Sequence, residues 1–408
     1  MSAAVAVGSS RFASSPMRFR LLLILGALSA FGPLAIDFYL PAFPAMAENF
    51  STDVERVQLT LAAYFIGLAL GQLIYGPLAD RYGRRWPLLV GVVLFTLASL
   101  ACALAPTLDW LIAARFVQAL GGCAGVVVTR AVVRDSCEPV QAARVFSQLM
   151  LVMGLAPILA PLGGGLLLNG FGWQSIFVAL TVFSAISGIA VALWLPETLA
   201  ADAPRLHLSG TFGRYVELLR DREFMAFALS GGLAMAGMFA YIAGSPFVFI
   251  DLYGVPAEHY GWLFGSNAAG FIVMSQVNSR LLLIHGPGAW LRRFVWLYVL
   301  SAVALLVIAL SEPEALWPML IPLFLAIATL GGILPNATAC AMAKQGQQAG
   351  LASALMGSLQ FSVAAGASAM VAALHNGTAA PMALVITACA LLAAGLAWYT
   401  GQLDWRSA

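Results

Sequence analysis

Long apolar runs separated by short polar punctuation fill the chain. A helix that crosses a bilayer needs about 20 mostly apolar residues. Twelve such runs stand out, near 21–45, 57–79, 86–106, 110–129, 145–169, 174–196, 224–250, 259–279, 294–311, 315–343, 349–374 and 379–401. They are apolar all round, without the ten-residue alternation of a membrane β-barrel. The run at 294–311 is short, but Arg292 and Arg293 can snorkel and extend it. The first run follows Arg18 and Arg20, as in a signal peptide, yet it is too long for one and eleven more spans follow. It is therefore read as helix 1. Composition agrees: 61% of the 408 residues are hydrophobic and 9% charged, against roughly 25% charged in soluble domains. The expected class is an all-α membrane protein with 12 transmembrane helices.

Lys and Arg favour cytoplasmic loops. With the N-terminus inside, 18 of the 20 basic residues fall on the cytoplasmic side, including Arg81, Arg84 and Arg85, then Arg130, Arg134 and Arg144 around the helix 4–5 loop, and Arg280, Arg292 and Arg293. Arg56 and Arg115 are the exceptions, and the outer loops are acidic. Both termini are expected in the cytoplasm. The longest loop carries Pro204 and is expected to form an amphipathic helix around Tyr215 to Leu219. The predicted organisation is a tail (1–20), a six-helix bundle (21–197), a cytoplasmic linker (198–223), a second bundle (224–401) and a short tail (402–408). A shift of 210 residues lays Leu120-Gly121-Gly122 on Leu330-Gly331-Gly332, and Arg134 on Lys344. Two pseudo-symmetric halves place a substrate site between them near the midplane.

Net charge is +2, which leaves no nucleic-acid footprint, and the five Cys lack metal-ligand spacing. No metal and no cofactor are expected. Of the charged side chains only Asp37 and Arg115 fall inside spans as drawn, and intramembrane charges are functional hypotheses by default. At ~1.5 Å per residue both sit roughly 9–15 Å below the outer surface. They form either a static buried ion pair that fixes packing, or a proton-coupling acid with an Arg that tunes it. A second cluster runs Gly76-Pro77-Leu78-Ala79-Asp80-Arg81-Tyr82-Gly83-Arg84-Arg85. Here Gly76 is expected to let a neighbouring helix approach, Gly83 to turn the chain at positive φ, and Asp80 to face a helix N-terminus or an Arg as a latch. A third stretch, Gly154 to Gly165, holds Pro157, Pro161, Gly163 and Gly164 and is expected to bend and pack closely. Tyr39, Tyr64, Gln118, Tyr241, Asn267, Gln276, Asn336 and Gln360 are the polar or aromatic candidates for the cavity wall, about half of which should face it.

These places resemble the major facilitator superfamily, in its 12-helix drug:proton antiporter group. The 76–85 cluster is similar to that superfamily's G-x-L-a-D-r-x-G-r-[KR] motif. Arg115-Phe116-Val117-Gln118-Ala119 resembles R-x-x-Q-G, with Ala119 for Gly, and the third stretch resembles the antiporter G-P-x-x-G-G motif, with Ala160 before Pro161. Asp37-Phe38-Tyr39-Leu40-Pro41-Ala42-Phe43-Pro44 is similar to the D-x-Y-L-P-a-x-P element of the Bcr/CflA branch of bicyclomycin and chloramphenicol exporters. The resemblance implies a multi-pass, monomeric protein of the bacterial inner membrane that exports small antibiotics by alternating access, driven by the proton gradient. Asp37 and Arg115 would couple protons, while Gly76, Asp80, Arg81, Gly83, Arg84 and Arg85 would gate. A single cavity acid argues for neutral or zwitterionic cargo of phenicol, bicyclomycin or sulfonamide type. The alternative on the same fold is an exporter or proton symporter of an endogenous metabolite. An enzyme is not expected, since His207, His259, His285 and His375 are scattered and no second acid joins Asp37; no G-x-x-x-x-G-K-[ST] loop for ATP occurs either.

Overall fold

The computed structural model describes residues 15–137, 139–199, 208–282, 284–345 and 348–402. Residues 1–14 of the N-terminal tail, the linker stretch 200–207 with Pro204, and 403–408 lie outside the described residues. The described chain is helical throughout: α1 Ser15–Asp37, α2 Phe43–Asn49, α3 Val54–Tyr82, α4 Arg85–Ala103, α5 Leu108–Ser136, α6 Pro139–Phe171, α7 Gln174–Trp194, α8 Leu208–Arg220, α9 Arg222–Pro246, α10 Ala257–Leu281, α11 Pro287–Leu310, α12 Trp317–Met342, α13 Ala349–Ala373 and α14 Ala380–Gln402. Among the described residues, eleven segments are long and apolar enough to cross a membrane, with α1 and α2 counted as one and α9 joined to the π-helical turn Phe247–Leu252. Helix α10 matches them in length at 25 residues. It carries Glu258, His259, Asn267, Gln276, Asn278 and Arg280 and falls short of them in apolarity.

The first predicted run is not one helix. α1 stops at Asp37, a 3-10 turn spans Leu40–Ala42, and α2 restarts at Phe43. Pro41 and Pro44 explain the break: neither has the N–H that a continuing helix would need, and each sits at the start of a new segment where none is required. At the other end of the molecule, α5 and α6 run past the apolar core, so Arg130 and Arg134 lie on helix α5 and only a short connection remains. The amphipathic helix expected at Tyr215–Leu219 is α8, with Leu218 buried and Leu219 exposed.

Helices α1 and α3–α7 pack chiefly with one another, as do α9–α14; the two groups meet along α3–α13 and α6–α10. The internal repeat has a physical counterpart. Gly122 on α5 leaves room for the Phe95 ring of α4, and Gly332 on α12 does the same for the Phe294 ring of α11. At the end bearing the acidic loops, the groups are joined by His375 Nε2 to Glu55 (2.9 Å), by Asn169 donating to Glu258 (2.7 Å), and by Leu40–Ala42 lying against α9 and α10. Midway, Phe65 packs on Phe239 and Phe361 at ring separations of 4.2 and 6.3 Å.

Candidate transport site

The helix break decides the chemistry at Asp37. It is the last residue of α1, 3% exposed, and its Oδ1 has no hydrogen-bond partner. The C-terminus of a helix carries a partial negative charge from its free carbonyls, which disfavours an anion there. A carboxylate in hydrocarbon with no donor is costly on its own account. Asp37 is thus held where its charge is hard to keep.

Arg115 meets the same helix end, but not through the carboxylate. Among the described residues no ion pair joins Arg115 to Asp37, so the static-pair reading fails in this conformation. Fully buried, Arg115 donates through Nη2 to the Ala35 carbonyl at 2.8 Å and through Nη1 to Gln118 Oε1. Its guanidinium lies 4.3 Å from the Tyr39 ring centre, 4.2 Å from Tyr64 and 5.8 Å from Phe177. Desolvated cation–π contacts are worth about 2 kcal/mol or more, and they replace part of the water that the guanidinium has lost. The positive charge caps the negative pole of α1 instead of neutralising its acid. Gln118 in turn donates to Ser99 (2.7 Å), and the Tyr39 hydroxyl pairs with Thr60 (2.9 Å), whose own hydrogen goes to Val57.

Tyr39, Tyr64, Gln118 and Arg115 therefore form one hub in the first half. Tyr241 and Asn267 form a second, with Asn267 donating to Tyr241 at 3.0 Å, and Phe264 stacked between Tyr241 and Tyr260. The helices that carry this second hub, α9 and α10, meet the turn Leu40–Ala42 that follows Asp37. The remaining candidates go elsewhere. Asn336 is paired with Asn278 through reciprocal amide bonds of 2.8 and 3.2 Å, a helix-to-helix clasp. Gln276 is exposed, and Gln360 packs against Gly232. Sequence reasoning passed over Tyr260, Ser245 and two buried amides of α3, Gln58 and Gln72. The seven-residue spacing of Gln58, Phe65 and Gln72 is the signal that puts them on one face; Gln72 touches Gly357 of α13, and Gln58 Oε1 is buried without a partner.

The 76–85 cluster folds around Arg84. Gly83 has φ +91°, the positive value its turn requires. The turn drops Arg84 between two carboxylates, Asp80 one helical turn back and Asp135 of α5, the latter at 2.7 Å. Glu197, just after α7, accepts from the backbone N–H groups of Arg84 (2.8 Å) and Arg85 (3.1 Å). Burial works against the charge of Glu197, but bonds from the N–H groups of Arg84, Leu199, Arg85 and Thr198 outweigh it and hold the carboxyl below its ordinary range. Asp80 thus faces an Arg, as one of the two expectations had it, and that Arg belongs to its own half. Two details correct the reading of this cluster. A side chain at Gly76 would meet nothing within 4 Å, so Gly76 is not a point of close helix approach. Arg81 is exposed and lies over the Tyr82 ring (5.3 Å), away from the carboxylates. From the second half's side of the linker, Tyr215 of α8 reaches this corner; burial, then the charge of Asp80, push its phenol up to about 12. In the antiporter-type stretch, Gly164 lies against the Phe38 carbonyl and Gly163 against the Phe38 ring, while Gly154 faces Ile272 of α10.

Comparison with known proteins fits this geometry. The Major Facilitator Superfamily profile matches residues 23–369. An uncharacterized MFS-type transporter, YdgK of Bacillus subtilis (strain 168), is 38% identical over 92% of this chain and 94% of its own. A bicyclomycin resistance protein homolog of Haemophilus influenzae is 33% identical over 93% of this chain and 96% of its own. Multidrug resistance protein D of Escherichia coli (strain K12) is 32% identical over 83% and 85%. Among solved structures, a bacterial homolog of the human lysosomal transporter Spinster superposes with a TM-score of 0.75 at 15% identity, covering 97% of this chain and all of that one. An all-helical fold, intramembrane charges at a broken helix and relatives of this kind lead to one assignment: the chain belongs to the Major Facilitator Superfamily, beside its bicyclomycin- and multidrug-resistance members, and is a membrane transporter and not an enzyme.

Proposed function

We propose that this transporter is a proton-coupled exporter of small, mostly neutral or zwitterionic antibiotics, acting as a monomer in a bacterial inner membrane. Helix α10 is the twelfth span, both termini are cytoplasmic, and the halves 21–197 and 224–401 are the bodies that move. The basic end then faces the cytoplasm, and the contacts at the acidic end make this a conformation closed to the outside.

The observation that carries the reading is Asp37: a buried carboxyl at the negative end of a broken helix, its Oδ1 unpartnered, just before the turn Leu40–Ala42 that meets α9 and α10 of the other half. Taking up a proton removes the cost of holding that charge, so the empty carrier can return loaded with a proton. Giving it up favours a cargo that brings its own donors. Arg115, bonded two residues away at Ala35, puts a positive charge at the same helix end. One acid leaves too little negative charge for dicationic drugs, and the names of the relatives support antibiotic cargo.

The test is chloramphenicol binding and uptake into inverted vesicles, across pH, for wild type and Asp37→Asn. The variant is expected to bind with little pH dependence and to lose gradient-driven transport. An Asn variant that still pumps against a gradient with unchanged pH dependence refutes the assignment. Co-accumulation of protons with cargo marks a symporter instead.

A further inference from the structure

One nitrogen at the acidic end of the molecule has two partners. His375 lies between α13 and α14, and its Nε2 is 2.9 Å from Glu55 Oε1 of α3. The same Nε2 is 3.1 Å from the backbone nitrogen of Gly377. An imidazole nitrogen carries either a hydrogen or a lone pair in the ring plane, never both. Towards the Glu55 carboxylate it needs the hydrogen, and towards the Gly377 N–H it needs the lone pair. Both partners stand within reach, and only one can be used at a time.

The partners belong to different halves. Gly377 is in the same turn as His375, at φ +77°, a value that glycine adopts without strain. Asn376 Oδ1 accepts from the Thr378 N–H (3.1 Å) and hydroxyl (2.7 Å) and ties that turn down. Phe247, which opens the π-helical turn after α9, meets the imidazole ring at 4.4 Å and 84°. If the halves part at this end, His375 stays with Gly377 and Phe247, and Glu55 leaves with α3.

The charges around the pair favour parting. His375 and Glu55 border a cavity of about 400 Å³, together with Asp53 and Asp251. Asp53 and Glu55 come with the first half and Asp251 with the second, while α2 presents Ala47 and adds no charge. With His375 neutral, three carboxylates repel one another across the seam. Its proton supplies the one cation among the described residues that line the cavity. The side chains of His375 and Glu55 are 25% and 15% exposed, so salt screens their pair only in part.

We propose that His375 is a proton-operated outer gate of the transport cycle. Protonated, it donates through Nε2 to Glu55 and holds the mouth shut. Neutral, it takes the tautomer with hydrogen on Nδ1, accepts from Gly377 within its own half, and lets the acidic rims separate. Imidazole changes charge between about pH 5 and 8, so acid outside favours the closed mouth. Protonation of the three carboxylates works in the same direction. Such a gate limits proton entry through an empty carrier when the outside turns acidic. The proposal rests on the orientation and alternating access proposed above, and not on the role of Asp37.

The experiment follows the outer mouth in nanodiscs between about pH 5 and 8. Electron–electron resonance reads the distance between spin labels on non-native amino acids at Leu104 and Ser311, where α4 and α11 end. In the wild type the ratio of open to closed mouth should rise about tenfold with pH, the scale of one charge-assisted bond. His375→Gln should hold one ratio throughout, and Glu55→Gln should lose most of the rise. Nitrogen-15 NMR of His375, assigned by its loss in His375→Gln, should show a hydrogen on Nε2 in acid and a bare Nε2 at the alkaline end. A Nε2 that keeps its hydrogen there overturns the proposal, as does a full rise in His375→Gln. Asp37→Asn should respond as the wild type does. A response lost in Asp37→Asn and kept in His375→Gln makes Asp37 the sensor and overturns the gate. An Asp37→Asn protein that keeps the response and still pumps supports the gate and refutes only the coupling role of Asp37.

Discussion

Replacing Arg84 by Ala removes a cation whose side chain is 4% exposed and which is wedged between Asp80, 34% exposed, and Asp135, 16% exposed. The two carboxylates are affected unequally. Water reaches Asp80 and replaces much of what it loses, as at an exposed ion pair worth at most about 1 kcal/mol. Asp135 loses a charge-assisted bond of 2.7 Å in a largely dry corner, worth about 1.5–3 kcal/mol. The expected loss is therefore ~2–3 kcal/mol, carried mainly by Asp135, so Asp135→Asn should cost more than Asp80→Asn. Arg84→Lys keeps the charge but cannot fork between two carboxylates, and should fall between wild type and Ala. The assay is unfolding in mixed detergent micelles, alongside chloramphenicol binding and vesicle efflux. Asp80→Asn should slow efflux while leaving binding largely intact, because this corner is remote from Asp37. An Arg84→Ala protein of unchanged stability that no longer transports would refute the reasoning, since Arg84 would then act through the other half and not as a brace of its own.

Two further outcomes follow from distances. A Cβ at Gly164 would run into the Phe38 carbonyl, which is backbone and cannot swing aside, whereas at Gly163 it would meet only the Phe38 ring at 3.1 Å; Gly164→Ala should destabilise by about 1–3 kcal/mol and impair efflux through the neighbouring Asp37, and Gly163→Ala should do neither, as melting and transport assays of both will show. Glu197 is held below its ordinary carboxylate range in the folded state, so its contribution is complete above the unfolded value and is lost as pH falls through the lower folded one; the melting difference between wild type and Glu197→Gln should be constant near neutrality and vanish in acid, and a difference that persists in acid argues against the clamp.

The fold was legible because apolarity without alternation is a strong signal, and Asp37 and Arg115 stood out as charges in apolar runs. What escaped has identifiable physics. Hydropathy does not change where α1 breaks, so the run from 21 read as one helix although Pro41 and Pro44 were there to be used. Asp135 and Glu197 lie 51 and 113 residues from Arg84, and no local pattern announces so distant a partner. Gly76 misled because glycine in a membrane helix can serve packing or nothing at all. Arg115 was taken as a neighbour for a carboxylate, whereas the helix end beside it offered a carbonyl. Among the cavity candidates, residue type alone could not separate Asn336, tied to Asn278, from Asn267, which donates to the Tyr241 phenol.

The two seams between the halves are built from different materials. Along α6–α10, Gly261 lies against Leu162, backbone nitrogen included, and Gly165 against the Ala257 carbonyl, so main chain meets main chain. Along α3–α13, Phe65 meets Phe361, with Phe239 of α9 beside them, and Gln72 meets Gly357. A main-chain seam has one geometry and no rotamers to exchange, while an aromatic one can re-pack around a guest. On the proposed export cycle, breadth of cargo should therefore reside on one side of the molecule: bulkier cargo should displace the phenylalanines, and the glycine seam should keep the register between the halves.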